Sequence, residues 1–569
     1  MKPYKLFVLL LLLSSSLFGQ MYNALSIPYV NTFNVGKSQD LTLSKSPRDT
    51  TKTFKIDRDE YKNKLKGFWL GSCIANWTGL PTENKRTDFP FFTDSDFGAG
   101  KYDYVLDENP WGSDDDTDIE YVYQHAMEKY KSFMLTGEQI SSEWQKHIAL
   151  PKLWVSNLSA LGQMQNGAIP PATSLPENNP MWDMIDAQLT TEIFGAFSPG
   201  RPDVALKIAH LPIRTTAYLH SEWASEFYII MYSLTATVDK TLSRKDQIMW
   251  MAGEARKRLP EWSYLADMYD FVKAAYDANP EKDNWEKTRD EMAKRYQHNI
   301  TAGYTYKYPW DSGINFAASI ISLLYGEGDY KKTIRIGSMC GWDSDNPTAT
   351  WGGLLGLLYG YEELQYHFDK TNFSEGYNIA RTRYNMPIPL DNFSDMATRG
   401  IKIIDDIVIR AIGGSIEENY WIIPNMEPDG ILLSIPKITV PWITIEDNDP
   451  RWIYKGFETY EEQWNASGAS LTKGYANCSA EITFTGTAIQ YYAYRGKKGG
   501  NVTIILDGKS YGDFNQEDYS DIHGQYYVKI FEQLDLPYGR HTLQIMGDPK
   551  LSEKTIDMLS IIEGSFTKD

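Results

Sequence analysis

Two clusters of aspartates stand far apart in the chain, and each leads directly into an apolar stretch. The first is Asp114–Asp118, with the sequence DDDTD, and the second is Asp343–Asn346, with the sequence DSDN. Carboxylates crowded in this way repel one another unless a cation lies among them, and Mg²⁺ and Ca²⁺ prefer such oxygen ligands. The two clusters therefore predict a single metal site, provided that the fold brings them together.

Each cluster also lies where its side chains could converge on one ion. The first three aspartates are expected at the N-cap and first turn of a helix, where the positive end of the helix dipole keeps carboxylates ionised. The two aspartates of the second cluster are two residues apart in a predicted loop, and extended backbone would turn both side chains to the same side. The predicted metal ligands are Asp114, Asp115, Asp116, Asp343, Asp345 and Asn346. For one cluster alone, the alternative is a solvated face or a capped turn.

Two rows of small residues are expected to position these clusters. One row has Gly or Ala at every fourth position from Gly67 to Gly79, and the other has Gly at every fourth position from Gly352 to Gly360. A glycine in a helix interior costs about 1 kcal/mol relative to alanine, but a row of small residues lets two helix axes approach closely. The rows therefore predict tightly packed helices near the core, beside the acidic segments.

The wider pattern predicts two domains of different class. Between Asp57 and Phe373 apolar residues recur at three- and four-residue intervals, as in Ser221–Leu234, which indicates a large, mainly α domain. Short alternating runs such as Val502–Leu506, followed by the turn signal Asp507-Gly508, predict a C-terminal β-sandwich of about 130 residues. The segment Leu536–Leu543 resembles the closing strand of jelly-roll modules, which implies a jelly-roll-like sandwich. The predicted boundaries are a signal peptide at 1–20, a linker or arm at 21–55, the α domain with a closing β-ribbon at 56–435, and the sandwich at 436–569.

The N-terminus and the overall charge indicate location and partners. Lys2 and Lys5 precede the apolar run Leu6–Leu13, which is the pattern of a secretory signal, so we expect a secreted or periplasmic protein. That run is too short for an ordinary membrane span, and no later segment is apolar enough to predict one. The net charge of −19 argues against nucleic acid as a partner, since phosphates attract basic surfaces. The oligomeric state stays open.

The cysteines predict little. The chain has only three, which is too few and too sparse for a disulfide framework. A disulfide between Cys73 and Cys340 is one interpretation, and small buried thiols are the other.

A third segment connects the aspartate clusters to a known family. The small-residue helix that includes Gly67 ends at Gly79-Leu80-Pro81, and Glu83 follows. In this order the three segments resemble the ADP-ribosylglycohydrolase family, which typically has a G-x-L-x-G…G-D-A-x-G-x-P-x-E helix, then T-D-D-T, and late in the domain G-G-D-T-D-T before a small-residue helix. The resemblance covers about Tyr61–Gly360 and implies the all-α fold of that family.

Three positions depart from the family pattern. Asp114 and Asn346 stand where the family has threonine, and Asn76 stands where the family helix has aspartate. Each replacement keeps an oxygen ligand or a hydrogen-bonding group, and the added charge of Asp114 favours Ca²⁺ relative to Mg²⁺. The resemblance implies one or two Mg²⁺ ions as cofactor, with Ca²⁺ as the alternative. The matching positions are Glu83 on the family glutamate, Asp115, Asp116 and Thr117 on D-D-T, and Asp343 and Asp345 on the late aspartates.

The activity that the resemblance implies is hydrolysis at the anomeric carbon of a furanose. A metal would orient the sugar and a water, and a carboxylate would act as base or acid toward the glycosidic oxygen. The predicted catalytic residues are Glu83, Asp116 and Asp343, with Glu83 as the mobile acid or base. The alternative for Glu83 is an exposed loop residue after a helix end.

Five further residues are predicted to bind substrate. Trp342 would stack on a sugar or a leaving group, or else pack under the metal loop. For His220 the alternative is an ordinary interior or surface histidine. The aromatic residues of the sandwich likewise either stack on sugars or form its core. The predicted substrate-binding residues are Asn76, Gln188, Glu192, His220 and Trp342.

These observations favour one function over two alternatives. The leading hypothesis is a secreted, metal-dependent glycoside hydrolase that cleaves an O- or N-glycosidic bond of a furanose-like sugar in a glycan or glycoside. The second is removal of ADP-ribose from proteins or small molecules. The third is a non-catalytic carbohydrate-binding protein in which the sandwich recognises the ligand. Predicted export and the added β-module favour the first hypothesis, and the retained acidic residues argue against the third.

Overall fold

The change from helical to alternating patterns along the chain corresponds to a change from helices to strands in the structure, a computed structural model. It describes residues 48–562 except for 99, 113–114, 150–151, 177, 262, 300, 379–383, 427–430, 432–442, 461–462, 464–465, 468–469, 519–524, 534–535 and 537–538. The predicted signal peptide, most of the predicted linker and the predicted boundary at 435–436 lie outside the described residues. Within them, the prediction of a mainly α domain followed by a β-sandwich is confirmed.

The α domain is built from helices that start at local capping residues. The Asp57 side chain accepts hydrogen bonds from the Asp59 and Glu60 backbone N–H groups at the first helix, which satisfies donors that a helix start leaves unpaired. The helices are α1 (Arg58–Gly79), α2 (Asp115–Tyr130), α3 (Gly137–His147), α4 (Val155–Gln165), α5 (Ile193–Ala196), α6 (Pro202–Ile213), α7 (His220–Leu234), α8 (Arg244–Arg256), α9 (Tyr264–Ala278), α10 (Trp285–Met292), α11 (Ser312–Gly326), α12 (Tyr330–Cys340), α13 (Asp345–Tyr359), α14 (Tyr361–Tyr366) and α15 (Phe393–Asp406).

The two rows of small residues pack against each other at the centre of this domain. A Cβ atom on Gly71 would lie 2.2 Å from the Gly352 carbonyl oxygen, and a Cβ on Gly67 would lie 2.2 Å from the Gly356 carbonyl oxygen. Because later positions of α1 meet earlier positions of α13, the two helices are antiparallel. Larger side chains at these positions would push the helix backbones apart.

A three-stranded sheet closes the α domain. Its strands are β1 (Arg48–Asp57), β4 (Ser415–Glu417) and β5 (Tyr420–Met426), in the order β1-β5-β4. The sequence interpretation placed residues 48–55 in a linker, but they form most of β1 and pair antiparallel with β5. The polar local composition did not indicate a strand, because the hydrogen-bonding partner comes from a remote part of the chain. Two short strands, β2 (Gly376–Tyr377) and β3 (Asp391–Asn392), pair before α15.

The C-terminal module consists of two antiparallel sheets. One has the order β11-β10-β13-β8-β14 with β7 paired to β8, and the other has the order β12-β9-β15-β6. Residues facing inward from both sheets form one apolar core, as in a β-sandwich. The strands are β6 (Ile443–Glu446), β7 (Ile453–Tyr460), β8 (Leu471–Gly486), β9 (Ala488–Arg495), β10 (Asn501–Leu506), β11 (Lys509–Asn515), β12 (Gln525–Gln533), β13 (Gly539–Gly547), β14 (Lys554–Ile556) and β15 (Met558–Ile562).

Local signals in the sandwich have clear structural counterparts. Asp507 and Gly508 connect β10 to β11 with positive φ angles of 53° and 77°, as a tight hairpin turn requires. Trp452 and Tyr491 are buried in the core, which fits the core interpretation of these aromatic residues. Two other aromatic residues of the predicted sandwich, Trp442 and Trp464, lie outside the described part of the chain.

The three cysteines lie in the interior of the protein. Cys73, Cys340 and Cys478 are all buried free thiols, so the disulfide considered between the first two is not formed. Across the residues described above, no helix combines the length and the apolar character that crossing a bilayer would need.

Candidate active site

The antiparallel pairing of α1 and α13 brings the end of one helix to the start of the other. A Cβ atom on Gly79, the last residue of α1, would lie 2.5 Å from the Asp345 Cα, at the first residue of α13. The start of α2 reaches the same place, because Asp116 is bonded to residues of both α1 and α13. Three elements that are remote in the sequence therefore meet at one point.

Asp116 links the two aspartate clusters. Its Oδ1 atom accepts a hydrogen bond from Asn346 Nδ2 at 3.3 Å, although the two residues are 230 positions apart. Its Oδ2 atom accepts a hydrogen bond from Asn76 Nδ2 at 2.5 Å. The asparagine that replaces the family aspartate is thus a donor that holds the Asp116 carboxylate. The Asp116 side chain is buried, so the orientation of its carboxylate is set by these two asparagine donors.

Three further carboxylates converge beside this link. Glu83, Asp343 and Asp345 each offer an oxygen atom, and these atoms lie within 4.8 Å of one another. The two aspartates are buried and Glu83 is partly buried. Like charges this close in a partly dry environment repel strongly, so the arrangement suits a bound cation.

The surrounding donor set fits a hard divalent cation. The Asn346 Oδ1 atom is buried and has no hydrogen-bond partner among the described residues. A carbonyl oxygen beside several carboxylates is the ligand chemistry of Mg²⁺ and Ca²⁺. Asp115 lies partly buried at the same helix start, whereas Asp114, also predicted as a ligand, lies outside the described residues. The metal role of all these residues stays a prediction.

A strained loop positions the second aspartate cluster. Gly341 has φ of 107° and Trp342 has φ of 56°, a left-handed conformation that costs a non-glycine residue roughly 1 kcal/mol or more. The Trp342 carbonyl accepts a hydrogen bond from the Asn84 N–H at 2.9 Å. The loop that carries Asp343 is therefore tied to the loop that carries Glu83.

Trp342 supports this loop from inside the protein. The side chain is fully buried, its Nε1–H donates to Gln297 Oε1 at 3.0 Å, and its ring centroid lies 4.8 Å from that of Phe91. This burial fits the packing alternative, because no face of the indole is open to a sugar in this structure.

Other polar residues that hold the site were not identified from the sequence. The Asp343 backbone N–H donates to Asn315 Oδ1 at 3.2 Å, and the Thr82 and Ser344 hydroxyl oxygens lie 2.9 Å apart. The signal for Asn315 in the sequence was an amide side chain inside the largely apolar helix α11. Its importance depends on a contact with the loop before α13, which local sequence does not encode.

A pair of buried glutamates lies one helical turn beyond the acidic cluster. Glu120 follows Asp116 by one turn of α2 and accepts a hydrogen bond from the Ile193 N–H at 2.7 Å. Glu192 accepts a hydrogen bond from the Thr350 hydroxyl at 2.8 Å, one turn after Asn346. Burial raises the pKa of Glu192 to about 8. Burial, together with the charge of Glu192, raises the pKa of Glu120 well above its usual range.

This pair has a chemical consequence for the site. At neutral pH at least one proton stays on the two carboxyl groups, since burial disfavours their charged forms. Glu192, which was predicted to bind substrate, is buried within the helix packing beneath the cluster. Glu120 was missed by the sequence analysis, although a glutamate on the apolar face of a helix is a signal that could have been used.

The remaining predicted pocket residues have partners within the helix packing. Gln188 Nε2 donates to the Ser312 carbonyl at 3.3 Å, and its Oε1 accepts from the Tyr228 hydroxyl at 3.1 Å. The His220 ring stacks on Tyr264 with centroids 3.8 Å apart. Both side chains are buried, and their contact with a substrate stays a prediction.

Two curated relatives share stretches of sequence with this chain. The chain is 25% identical over 158 residues to an A type blood alpha-D-galactosamine galactosaminidase from Flavonifractor plautii, covering 26% of this chain and 14% of the relative. It is 30% identical over 204 residues to an A type blood N-acetyl-alpha-D-galactosamine deacetylase from the same organism, covering 35% of this chain and 24% of the relative. The chain thus spans a small part of the length of these relatives.

Two further comparisons concern a solved structure and a family model. A solved structure described as an ADP-ribosylglycohydrolase-related protein complex aligns at 12% identity and a TM-score of 0.38, covering 61% of this chain and 98% of the other. The ADP-ribosylglycohydrolase family model matches residues 57–379, which is more than half of the chain and includes every described residue of the acidic cluster. The chain therefore belongs to the ADP-ribosylglycohydrolase family.

Proposed function

We propose that this protein is a divalent-metal-dependent glycoside hydrolase whose active site is the acidic cluster at the meeting point of α1, α2 and α13. The observation that carries the proposal is the convergence of the Glu83, Asp343 and Asp345 carboxyl oxygens within 4.8 Å, next to the Asp116–Asn346 hydrogen bond. Such a group of carboxylates in a mostly buried setting is suited to ion binding rather than to stabilising the fold.

The proposed division of roles follows the positions of the side chains. The two aspartate clusters and Asn346 would hold one or two ions, Mg²⁺ or alternatively Ca²⁺. A bound divalent ion would attract and orient the hydroxyl groups of the sugar and a water molecule. Asn76 would keep the Asp116 carboxylate turned toward the cluster, since its amide already donates to Asp116 Oδ2.

Glu83 is the proposed general acid or base. It lies on the loop after α1 and is partly buried, and its Oε1 atom accepts a hydrogen bond from Asn84 Nδ2 at 3.0 Å. A carboxyl group in this position would take a proton from the attacking water or give one to the leaving glycosidic oxygen. Unlike Asp343 and Asp345, which are buried, Glu83 is partly exposed and so can meet a substrate from the solvent side.

The proposed substrate is a sugar within a glycan or glycoside, and the family resemblance favours a furanose-like ring. Support comes from the two Flavonifractor plautii relatives, whose names describe enzymes of amino-sugar chemistry on blood-group A structures. The signal-like segment at residues 1–20 supports action outside the cytoplasm. The C-terminal sandwich is a proposed, not an established, carbohydrate-binding module.

The test is a substrate panel with metal control. Purified full-length chain would be incubated with furanosides, pyranosides and glycans in chelator and after addition of Mg²⁺ or Ca²⁺. We expect release of a reducing sugar that requires the metal and that Asp345→Asn abolishes. Absence of turnover on the whole panel, with full metal binding, would instead support the non-catalytic binding protein.

Removal of ADP-ribose is the second candidate, because the family match itself covers the acidic cluster. An ADP-ribosylated peptide included in the same panel separates the two activities. Release of free ADP-ribose without cleavage of any glycan would favour this candidate over the first.

A further inference from the structure

A second group of metal-type ligands lies at the other end of α2. Glu143 and His147 are four residues apart on α3 and share one face of that helix, and His125 faces them from α2. His147 Nε2 lies 3.4 Å and His125 Nε2 lies 3.7 Å from Glu143 Oε2. One ligand atom from each residue lies within 4.8 Å of the others.

These facing atoms have no hydrogen-bond partners. Among the described residues, His125 Nε2, Glu143 Oε2 and His147 Nε2 are all buried and unsatisfied. The side chains of Glu143 and His147 are 1% and 0% exposed. Three unsatisfied polar atoms converging on one point in a protein interior are costly, and a bound cation would satisfy all of them at once.

The outer contacts of the cluster orient its ligand atoms. His147 Nδ1 lies 3.2 Å from the Tyr384 carbonyl oxygen, which accepts only, so Nδ1 carries a proton and, in the neutral ring, Nε2 keeps its lone pair. Glu143 Oε1 accepts hydrogen bonds from Lys129 and from the Tyr130 hydroxyl, which leaves Oε2 for the histidines. Metal-binding histidines and carboxylates are typically held by such partners.

The alternative is an ion pair between a charged histidine and Glu143. Burial lowers the pKa of His125 to about 4 and also lowers the pKa of His147. A neutral imidazole cannot form an ion pair with Glu143. It is, however, the form of histidine that binds metals. This agrees with the inference that already follows from the geometry.

We propose that His125, Glu143 and His147 form a binding site for Zn²⁺. Two imidazole nitrogens and one carboxylate oxygen are a zinc ligand set, and tetrahedral ligands 2.0–2.1 Å from zinc lie about 3.3 Å from one another. The two histidine–glutamate separations of 3.4 Å and 3.7 Å are close to this value, and the ligand atoms of the two histidines lie within 4.8 Å of each other. The fourth ligand would be a water.

This zinc site is separate from the acidic cluster. His125 follows Asp116 by nine residues on the same helix, which is roughly 14 Å along the axis. The ion would tie α2 to α3, and α2 carries Asp115 and Asp116 at its first turn. The zinc therefore fixes the helix that presents the acidic residues, without touching the substrate.

The test measures zinc binding by the full-length chain after removal of metals. Excess Mg²⁺ keeps hard-oxygen sites filled while Zn²⁺ is titrated calorimetrically, and bound zinc is counted by elemental analysis. We expect one Zn²⁺ per chain and a higher Tm with zinc. His125→Gln and Glu143→Gln each remove a direct ligand, so each should weaken zinc binding by more than the roughly 10- to 100-fold that loss of an outer-shell partner costs, and each should remove the Tm increase.

His210→Gln is the matched control. His210 Nδ1 lies 3.7 Å from Glu222 Oε1, so it forms a histidine–glutamate pair like that of His125 but outside the proposed zinc site. This variant should bind zinc as the wild type does, and so should Asp345→Asn in the acidic cluster. Circular dichroism checks that each variant is folded, and the visible spectrum of Co²⁺ in the wild type reports tetrahedral coordination independently of any variant. Absence of that spectrum, unchanged affinity in folded His125→Gln, or loss of zinc in Asp345→Asn would each overturn the proposal.

Discussion

Gly79 lies directly against Asp345, so closely that a Cβ atom on the glycine would be 2.5 Å from the Asp345 Cα. The carboxyl oxygen of Asp345 in turn lies within 4.8 Å of oxygens from Glu83 and Asp343. The absence of a side chain at the end of α1 therefore helps to set the geometry of the acidic cluster. Helix packing and the proposed chemistry are coupled at this contact.

Substitution Gly79→Ala should disturb both stability and metal binding. Because the added methyl group meets backbone, overpacking should lower the free energy of unfolding by about 1–3 kcal/mol, and Asp345 should shift. Chemical denaturation and calorimetric titration with Mg²⁺ would measure the two effects. Gly162→Ala in α4 is the control, because its Cβ would have no neighbour within 4 Å in the described structure. Equal effects of the two substitutions would contradict this prediction.

Substitution Asn76→Asp restores the family residue but places a carboxylate where an amide now donates to Asp116 Oδ2. Loss of the donor and repulsion between the two acids should destabilise the metal-free protein by roughly 1–3 kcal/mol. A divalent cation should recover part of that loss. The check is Tm in chelator and in Mg²⁺ or Ca²⁺, and the idea fails if the metal-dependent increase in Tm is no larger in the variant than in the wild type.

Substitution Glu83→Gln should separate turnover from metal binding. Loss of a general acid or base typically lowers kcat by about 10²- to 10⁴-fold, whereas the metal affinity should change little because the aspartates remain. Asp343→Asn should weaken the metal as well. The exposed Glu362 provides the control Glu362→Gln, which should retain full activity. Metal binding that disappears with Glu83→Gln would assign this residue a ligand role instead.

The buried Glu120–Glu192 pair predicts a specific pH dependence of stability. Because the pKa of Glu192 is raised from 4.5 to about 8 in the folded protein, the folded state holds a proton that the unfolded state releases. The contribution of this group is fully present below about pH 4.5, falls as pH rises toward 8, and then levels off.

Substitution Glu192→Gln should remove this contribution, since the amide is neutral at every pH and still offers an oxygen to Thr350. The free energy of unfolding of the variant minus that of the wild type should therefore increase from pH 5 to pH 8. Denaturant unfolding at several pH values measures it. A difference that stays constant over this range, or that decreases, would show that Glu192 is ionised in the folded state.

Much of the architecture could be predicted from local sequence. The 3.6-residue periodicity of Ser221–Leu234 corresponds to α7, and the alternation of Val502–Leu506 before Asp507-Gly508 corresponds to β10 and its hairpin. These signals work because burial of one face and turn chemistry act over a few neighbouring residues. The order of acidic motifs likewise indicated the family, which the match over residues 57–379 confirms.

Contacts between remote segments required the tertiary structure. The sequence showed two rows of glycines, but only the fold revealed that Gly71 and Gly352 face each other and that Asn76 is the donor to Asp116. The strand at residues 48–57 was missed because its partner β5 is remote in the chain.

By itself, the amino-acid sequence indicated most of the helices, the strands of the sandwich and the acidic residues able to bind a metal, because periodicity, capping and side-chain chemistry are local properties. The tertiary structure alone decided which of these residues share a site. Glu83 joins Asp343 and Asp345, Trp342 is enclosed, and His125 meets Glu143 and His147. The physical reason is that close packing of whole helices, rather than spacing along the chain, sets the distances between their side chains.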